Sequence, residues 1–361
     1  MTILGIETSC DETAVAIIEG KKDYVELKTN VLATSLALHA KTGGIIPEQA
    51  AREQLKYILP TLKKALDTPS ILKTHARDTH DTRGTLDTLK NIDAIAVTYG
   101  PGLIGSLLVG VETAKTLAYA LNKPIIPVNH MVGHIYANFI HENSKLVPSP
   151  QSLIPNFPAL ALVVSGGHTD LLLMKKHGDF KLLGGTRDDA AGEAFDKIGR
   201  MLGFAYPAGP EIERRAKLGD PKRFRFPRPL LSDKNHEFSF SGLKTAVLRE
   251  VQTVKQLNTE TVNDICRATQ DAIIDVLVKK TLRAANEYHV TSILLSGGVA
   301  ANQTLRDTFQ QKITDQKLNV KLFAPAKNLC TDNAAMIASA AYFNFEPKPW
   351  SEITADPELY F

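Results

Sequence analysis

Cysteine is scarce in this chain. Only Cys10, Cys266 and Cys330 occur among 361 residues, widely spaced and without a CxxC pair. An odd count at such spacings excludes a disulfide framework and points to a reducing compartment, so a cytoplasmic location is expected. Long apolar runs are missing too. No eighteen consecutive apolar residues occur, and the start, MTILGIETSCDET, lacks a basic segment and turns polar after six residues. Neither a membrane span nor a secretory signal is expected. Charge of one sign is not in excess either, because 42 basic and 39 acidic residues leave a net charge of +3. A global electrostatic field is therefore excluded as the basis of nucleic-acid binding, and any such contact must come from a local patch.

What is present is size and repetition. A chain of 361 residues exceeds what one hydrophobic core usually serves, so two lobes are expected. TILGIETSCDETAVAIIEG reads as a strand, a small polar turn and a strand, and LALVVSGGHTDLLLMKK repeats that pattern further along. DAIAVTYGPGLIGSLLVGVETAKTLAYAL reads as a strand, a glycine turn and a helix, and TSILLSGGVAANQTLRDTFQ repeats that order. Two halves with the same devices predict a duplicated α/β fold. Glycine turns that open helices offer backbone amides to phosphate oxygens, and two facing halves make a nucleotide cleft. QAAREQLKYILPTLKKAL and NDICRATQDAIIDVLVKKTLRAANEY have helical periodicity. Residues 68–88, rich in Thr, Asp and His, read as a solvated loop in which His75 and His80 are surface residues.

In HMVGH, His130 and His134 stand one helical turn apart, so on a helix both imidazoles face one side and can share a metal if a third ligand arrives from elsewhere. Taken alone, the spacing fits two half-buried histidines on an amphipathic helix better than a metal site. The zinc-peptidase pattern is excluded, because Met131 stands where its glutamate base belongs.

The blocks ETSCDET, GGIIPEQAAR, GPGLIGSLLVG, HMVGH, LVVSGGHTDL, DDAAGEAFDK, RFPRP, FSFSGLKT, GGVAANQTL and CTDNAAMIA occur in an order that resembles the TsaD (Gcp) family of bacterial tRNA threonylcarbamoyltransferases along nearly the whole chain. The resemblance implies the actin, Hsp70 and sugar-kinase fold, a duplicated two-lobe α/β architecture with a central nucleotide cleft. It implies an N-terminal lobe at 1–128 with 333–361 packed on it, and a C-terminal lobe at 129–332 carrying the metal and nucleotide contacts. It also implies transfer of threonylcarbamoyl from threonylcarbamoyl-AMP to the N6 amine of the adenosine 3′ of the anticodon, in tRNAs reading codons that begin with A.

Carried onto this chain, the family's metal ligands are His130, His134 and Asp332. One divalent ion per subunit is implied, iron by family habit, with zinc also suited to the donor set. The donor contacts become Val163, Val164, Ser165, Gly166, Gly167, Asp196, Gly209 and Asn302, although Asp196 also reads as a helix-surface acid and Asn302 as a helix N-cap. Acyl transfer needs a proton acceptor, for which Asp11 is preferred, with Glu12 beside it and Glu193 as a weaker third choice. The family commonly has glycine where YPAGP has Ala208, which would be strained if that position required a positive φ. In KRFRFPRP, Lys222, Arg223, Arg225 and Arg228 interleave with two phenylalanines, and with Lys244 they form a candidate tRNA surface; a packed, merely solvated loop reads equally well. The resemblance implies the partners TsaB and TsaE, with donor made by TsaC or its relative. A phosphotransferase of the same fold and a non-catalytic subunit are the rival readings.

Overall fold

A computed structural model describes residues 1–42, 44–67, 88–142, 154–254 and 257–361, the side chains of 40–42 excepted. The expected loop at 68–88, apart from Thr88, lies outside the described residues. The chain divides into two compact units, Met1–Ile154 with Thr331–Phe361, and Pro155–Cys330.

The first unit is built on a six-stranded sheet. β1 (Thr2–Glu7), β2 (Glu12–Gly20) and β3 (Val25–Thr34) form an antiparallel meander, while β4 (Ala94–Gly100) and β5 (Ile125–Asn129) add in parallel beside β1. A short β6 (Ile140–His141) completes the order β5-β4-β1-β2-β3-β6. Alternate residues Leu4, Ile6, Val15 and Ile17 point to one face. There they join Ile58, Leu62 and Ala65 of α2 (Pro47–Leu66), the helix after the short α1 (Leu36–Thr42), and Val111 and Ala114 of α3 (Ile104–Leu121) in one apolar cluster. α3 is long and apolar enough to cross a membrane by length and composition. Here, however, it carries Glu112 and Lys115 and covers the sheet with Leu107, Val111 and Ala114.

The opposite face is covered by α4 (His130–Tyr136), which follows β5 without a break, and by a later helix, Ala334–Phe343, made mostly of small apolar residues. The domain boundary therefore differs from the expectation. It falls after residue 154 rather than at 128, and His130, His134 and Asp332 all belong to the first unit. The reason is local: α4 hangs from the edge strand of the first sheet, and the chain returns to that sheet from Thr331 onward.

The second unit repeats the strand plan. β7 (Ala159–Val164), β8 (Thr169–Lys176) and β9 (Asp179–Gly185) form a meander, with β10 (Ser292–Ser296) and β11 (Lys321–Phe323) parallel beside β7, in the order β11-β10-β7-β8-β9. Around it lie α5 (Ala191–Met201), α6 (Gly209–Ala216), α7 (Ser241–Thr253), the long α8 (Thr259–Glu287) and α9 (Gln303–Asp315). Phe195, Phe238, Phe240, Ile273, Leu277 and Phe309 lie in one buried core with β7, β8 and β10. The helix Ala334–Phe343, α10, belongs to the first unit.

Candidate active site

Three strands place the first cluster. β1, β4 and β5 run parallel, and their carboxyl ends carry Glu7, Thr98 and Asn129, the edge of an open α/β sheet where ligands usually bind. The Asn129 side chain accepts from the backbone N–H groups of Met131 and Val132 at 2.8 and 3.2 Å, which starts α4 immediately and puts His130 and His134 on one face. α10 then packs on α4. A Cβ at Gly133 would stand 2.6 Å from Ile337 Cδ1 and would make that side chain shift, and Ser339 Oγ donates to Tyr136 O at 2.9 Å. Asn333 caps α10 by accepting from Met336 N, and its neighbour Asp332 is thereby carried to the two histidines.

Asp332 Oδ1 lies 3.3 Å from His134 Nε2 and 3.5 Å from His130 Nε2, and one donor atom from each of the three residues lies within 4.8 Å of the others. The fit to a divalent cation is tested by His134. Its side chain is 1% exposed, yet neither ring nitrogen completes a hydrogen bond. A buried imidazole left this way is costly unless something else takes its lone pair. Two imidazoles and one carboxylate suit zinc or iron and leave coordination positions open. Burial disfavours charging His130, but the carboxylates of Glu7 and Asp332 outweigh it and hold the imidazole well above its usual pKa. Burial likewise opposes ionisation of Asp332, and His130 reverses that, holding it well below the carboxylate range.

Asp11 and Glu12 follow in the β1–β2 turn. Burial, then the charge of Asp332, raises the Asp11 pKa. Burial, then the charge of Asp11, pushes Glu12 up to about 8, and Glu12 Oε2 has no hydrogen-bond partner. Burial, then the charges of Asp332, Asp11 and Glu7, pushes up the pKa of the Cys10 thiol in the same turn.

In the second unit, Val163 and Val164 end β7 and are fully buried, while Ser165, Gly166 and Gly167 form the turn to β8. The Ser165 hydroxyl accepts from His168 N at 3.1 Å and its carbonyl accepts from Gly192 N, where a Cβ would stand 2.4 Å from that oxygen. Gly297, at φ 86°, leaves no room for a Cβ against the Val164 carbonyl. The glycine turn after β10 and the start of α5 therefore converge on the Ser165–Gly167 turn. Asp196 Oδ1 accepts from Ala208 N at 2.7 Å at the entrance to α6, which begins with Gly209. Asn302 is the N-cap of α9, accepting from Leu305 N and donating to Gln270 Oε1. Glu213 of α6 accepts from Gln303 N, which links Gly209's helix to Asn302. Ala208 has φ −90°, so alanine there is unstrained. Glu193 is engaged by Ala190 N and Lys197.

The basic segment is thinner than its sequence suggests. Arg223 is 3.0 Å from the buried carboxylate of Asp264, Arg228 pairs with Asp275 and Lys244 with Asp189. Phe226 is buried, as the packed alternative for this loop has it; Phe224 lies parallel to it at 6.1 Å and is half-buried. Lys222 and Arg225 are exposed. Sequence reasoning also passed over Glu7, whose Oε2 lies 3.0 Å from His130 Nδ1; its signal was an acid closing an otherwise apolar strand.

A family profile described as TsaD, tRNA N6-adenosine threonylcarbamoyltransferase, matches residues 85–339. The chain belongs to the TsaD family. A protein of Moorella thermoacetica named tRNA N6-adenosine threonylcarbamoyltransferase is 44% identical over 361 residues, covering 99% of this chain and 96% of that one. One of Thermosipho africanus with the same name is 46% identical over 342 residues, covering 95% and 94%. Among solved structures, full-length HypF in a phosphate- and nucleotide-bound form aligns with TM-score 0.57 at 11% identity, covering 95% of this chain and 55% of that one. HypF of T. kodakarensis aligns with TM-score 0.56 at 13% identity, covering 95% and 47%. The chain thus spans about half the length of these structures, and the likeness establishes the fold alone. That fold is the duplicated α/β architecture of actin, Hsp70 and sugar kinases, expected of TsaD proteins.

Glu12 makes the metal-free protein pH-sensitive. Its folded value of about 8 exceeds its ordinary 4.5, so its contribution to stability is full below about pH 4.5 and is lost as pH rises through about 8. The thermal midpoint of the metal-free wild type is expected to fall more steeply between about pH 5 and 9 than that of Glu12→Gln. Parallel curves would remove the proton from Glu12.

Proposed function

We propose that this protein transfers the threonylcarbamoyl group of threonylcarbamoyl-AMP to the exocyclic amine of the adenosine 3′ of the anticodon in tRNAs reading codons that begin with A. Membership of the TsaD family supports the reaction, and the observation that carries the site assignment is the convergence of His130, His134 and Asp332. A cation held by these three, iron by family habit and zinc by chemistry alike, would supply Lewis-acid polarisation of the carbamoyl carbonyl.

The chain's own residues account for the rest. The amine nitrogen bonds to the carbamoyl carbon, the carbon–oxygen bond to phosphate breaks, and AMP leaves with the electron pair. The amine proton needs an acceptor, and we assign it to Asp11. Burial raises both carboxyls in the metal-free protein, Asp11 and Glu12 lie side by side where β1 turns into β2, and Glu12 is the second candidate acceptor. Val163, Val164, Ser165, Gly166, Gly167, Asp196, Gly209 and Asn302 are assigned to the adenylate. Support comes from the convergence of two glycine turns and two helix starts in one region of the second unit, where Gly192 and Gly297 pack on the Val164–Ser165 backbone and Ala208 N donates to Asp196. Both Asp196 and Asn302 hold helix ends as well, so they would shape this region even where they do not touch the ligand.

For tRNA, we assign the exposed Lys222 and Arg225 to phosphate contact, with Arg223, Arg228 and Lys244 kept in place by their carboxylate partners. For the protein partners TsaB and TsaE, an exposed apolar surface is available. Leu55 and Leu59 of α2 are 64% and 66% exposed, and with Leu108 and Leu117 of α3 they line a groove of about 510 Å³. We assign this face to a protein partner, of which TsaB is one that the family resemblance implies. Three unpaired, widely separated cysteines suit the cytoplasm in which tRNA is modified.

The reaction is tested with purified protein and its partners, threonylcarbamoyl-AMP and unmodified tRNA, reading threonylcarbamoyladenosine by mass spectrometry. Product is expected from the wild type and none from the His130→Ala/His134→Ala protein. ATP turnover with no transfer would replace this reading by a phosphotransferase. On the RNA surface, Lys222→Glu/Arg225→Glu is expected to weaken tRNA binding about tenfold or more and to reduce the salt slope by about two phosphate contacts, with donor binding unchanged. Unchanged tRNA affinity would move the RNA site elsewhere.

A further inference from the structure

Glu7 is an anomaly in its strand. It closes the otherwise apolar TILGIE segment, is 0% exposed, and has both oxygens engaged: Oε1 accepts from Ser9 N, and Oε2 accepts from the Thr98 hydroxyl and stands 3.0 Å from His130 Nδ1. Burying a carboxylate is costly even with partners. The fold does not require it. At the corresponding strand end of the second unit, β7 closes with Val163 and Val164 and makes the same hairpin to β8 and the same parallel pairing to β10.

We propose that Glu7 is a positioning residue for the metal centre, setting which nitrogen of His130 faces the ion; the inference rests on the metal reading given above. An ionised carboxylate only accepts hydrogen bonds, so it holds the proton on Nδ1 and leaves the Nε2 lone pair free. Nε2 is the nitrogen on the side of Asp332. Ser9 Oγ lies 3.1 Å from the same Nδ1, but a hydroxyl can donate or accept and therefore selects no tautomer. Thr98 and the Ser9 N–H fix the carboxylate itself, so strand pairing between β1 and β4 sets the ring's orientation. Such outer partners of a ligating histidine are a general feature of metal sites.

Glu7→Gln is the informative change, because it keeps the shape and reverses the demand. With its amide oxygen on Ser9 N–H, its NH2 points at Nδ1 and drives the ring proton to Nε2. Flipped, the NH2 meets the Ser9 N–H donor instead. Cobalt(II) affinity would be measured by chelator competition for the wild type, Glu7→Gln and the ligand variant His134→Ala, alongside metal-free melting. Glu7→Gln is expected to bind cobalt about 10- to 100-fold more weakly than wild type while melting cooperatively without metal. Independently of any variant folding, nitrogen-15 histidine spectra of the zinc-loaded wild type are expected to show the His130 proton on Nδ1. Cobalt affinity of Glu7→Gln within about twofold of wild type, or zinc bound through Nδ1, overturns the inference and leaves the metal site standing. Equal cobalt binding by wild type and His134→Ala overturns the metal reading, and the role of Glu7 with it.

Discussion

The metal centre proposed for this protein depends on the packing of α10 against α4. Two segments 203 residues apart in the chain meet where Ser339 bonds back to the Tyr136 carbonyl and Ile337 packs over Gly133. That contact brings Asp332 to His130 and His134. Without it, the histidines would be two rings on a short helix and Asp332 a turn acid. α10 is almost entirely Ala, Ser, Met and Ile on its buried face, which is what lets it lie close to both the sheet and the shorter helix.

The electrostatics of the centre follow from that geometry. Glu7, His130 and Asp332 form a line of alternating acceptor and ring in a buried place, so the metal-free centre carries more negative than positive charge around one imidazole. Asp11 and Glu12 add two more carboxyls within reach of the same field. A divalent cation relieves this repulsion and draws the neighbouring carboxyl pKa values down. The pH behaviour of the metal-free and metal-loaded forms should therefore differ at the carboxyl turn.

Much of the fold was legible in the sequence. The two hairpins read correctly because a small polar turn between apolar strands has few other solutions, and the glycine turns before α3 and α9 read correctly because a strand, a turn and a periodic helix follow one another in the chain. The unit boundary did not. HMVGH begins a new helix, and nothing in the local pattern says that this helix stays with the strand before it. The basic segment read two ways for a similar reason: Asp264 and Asp275, which hold Arg223 and Arg228, lie 41 and 47 residues away. Phe226 reads as an aromatic among cations and is in fact a core residue. Glu7 was in plain view, but its partner Thr98 comes from a neighbouring strand and its partner His130 from a later helix. The ligand set was reached through family resemblance, because HMVGH by its spacing alone names no third ligand.

The most direct test of the central claim is anomalous diffraction from crystals of the metal-loaded protein, recorded on both sides of the iron and zinc absorption edges. The account predicts one anomalous peak bound by His130 Nε2, His134 Nε2 and the Asp332 carboxylate. A peak held by other residues, or a fully loaded protein with none at these three, would contradict it.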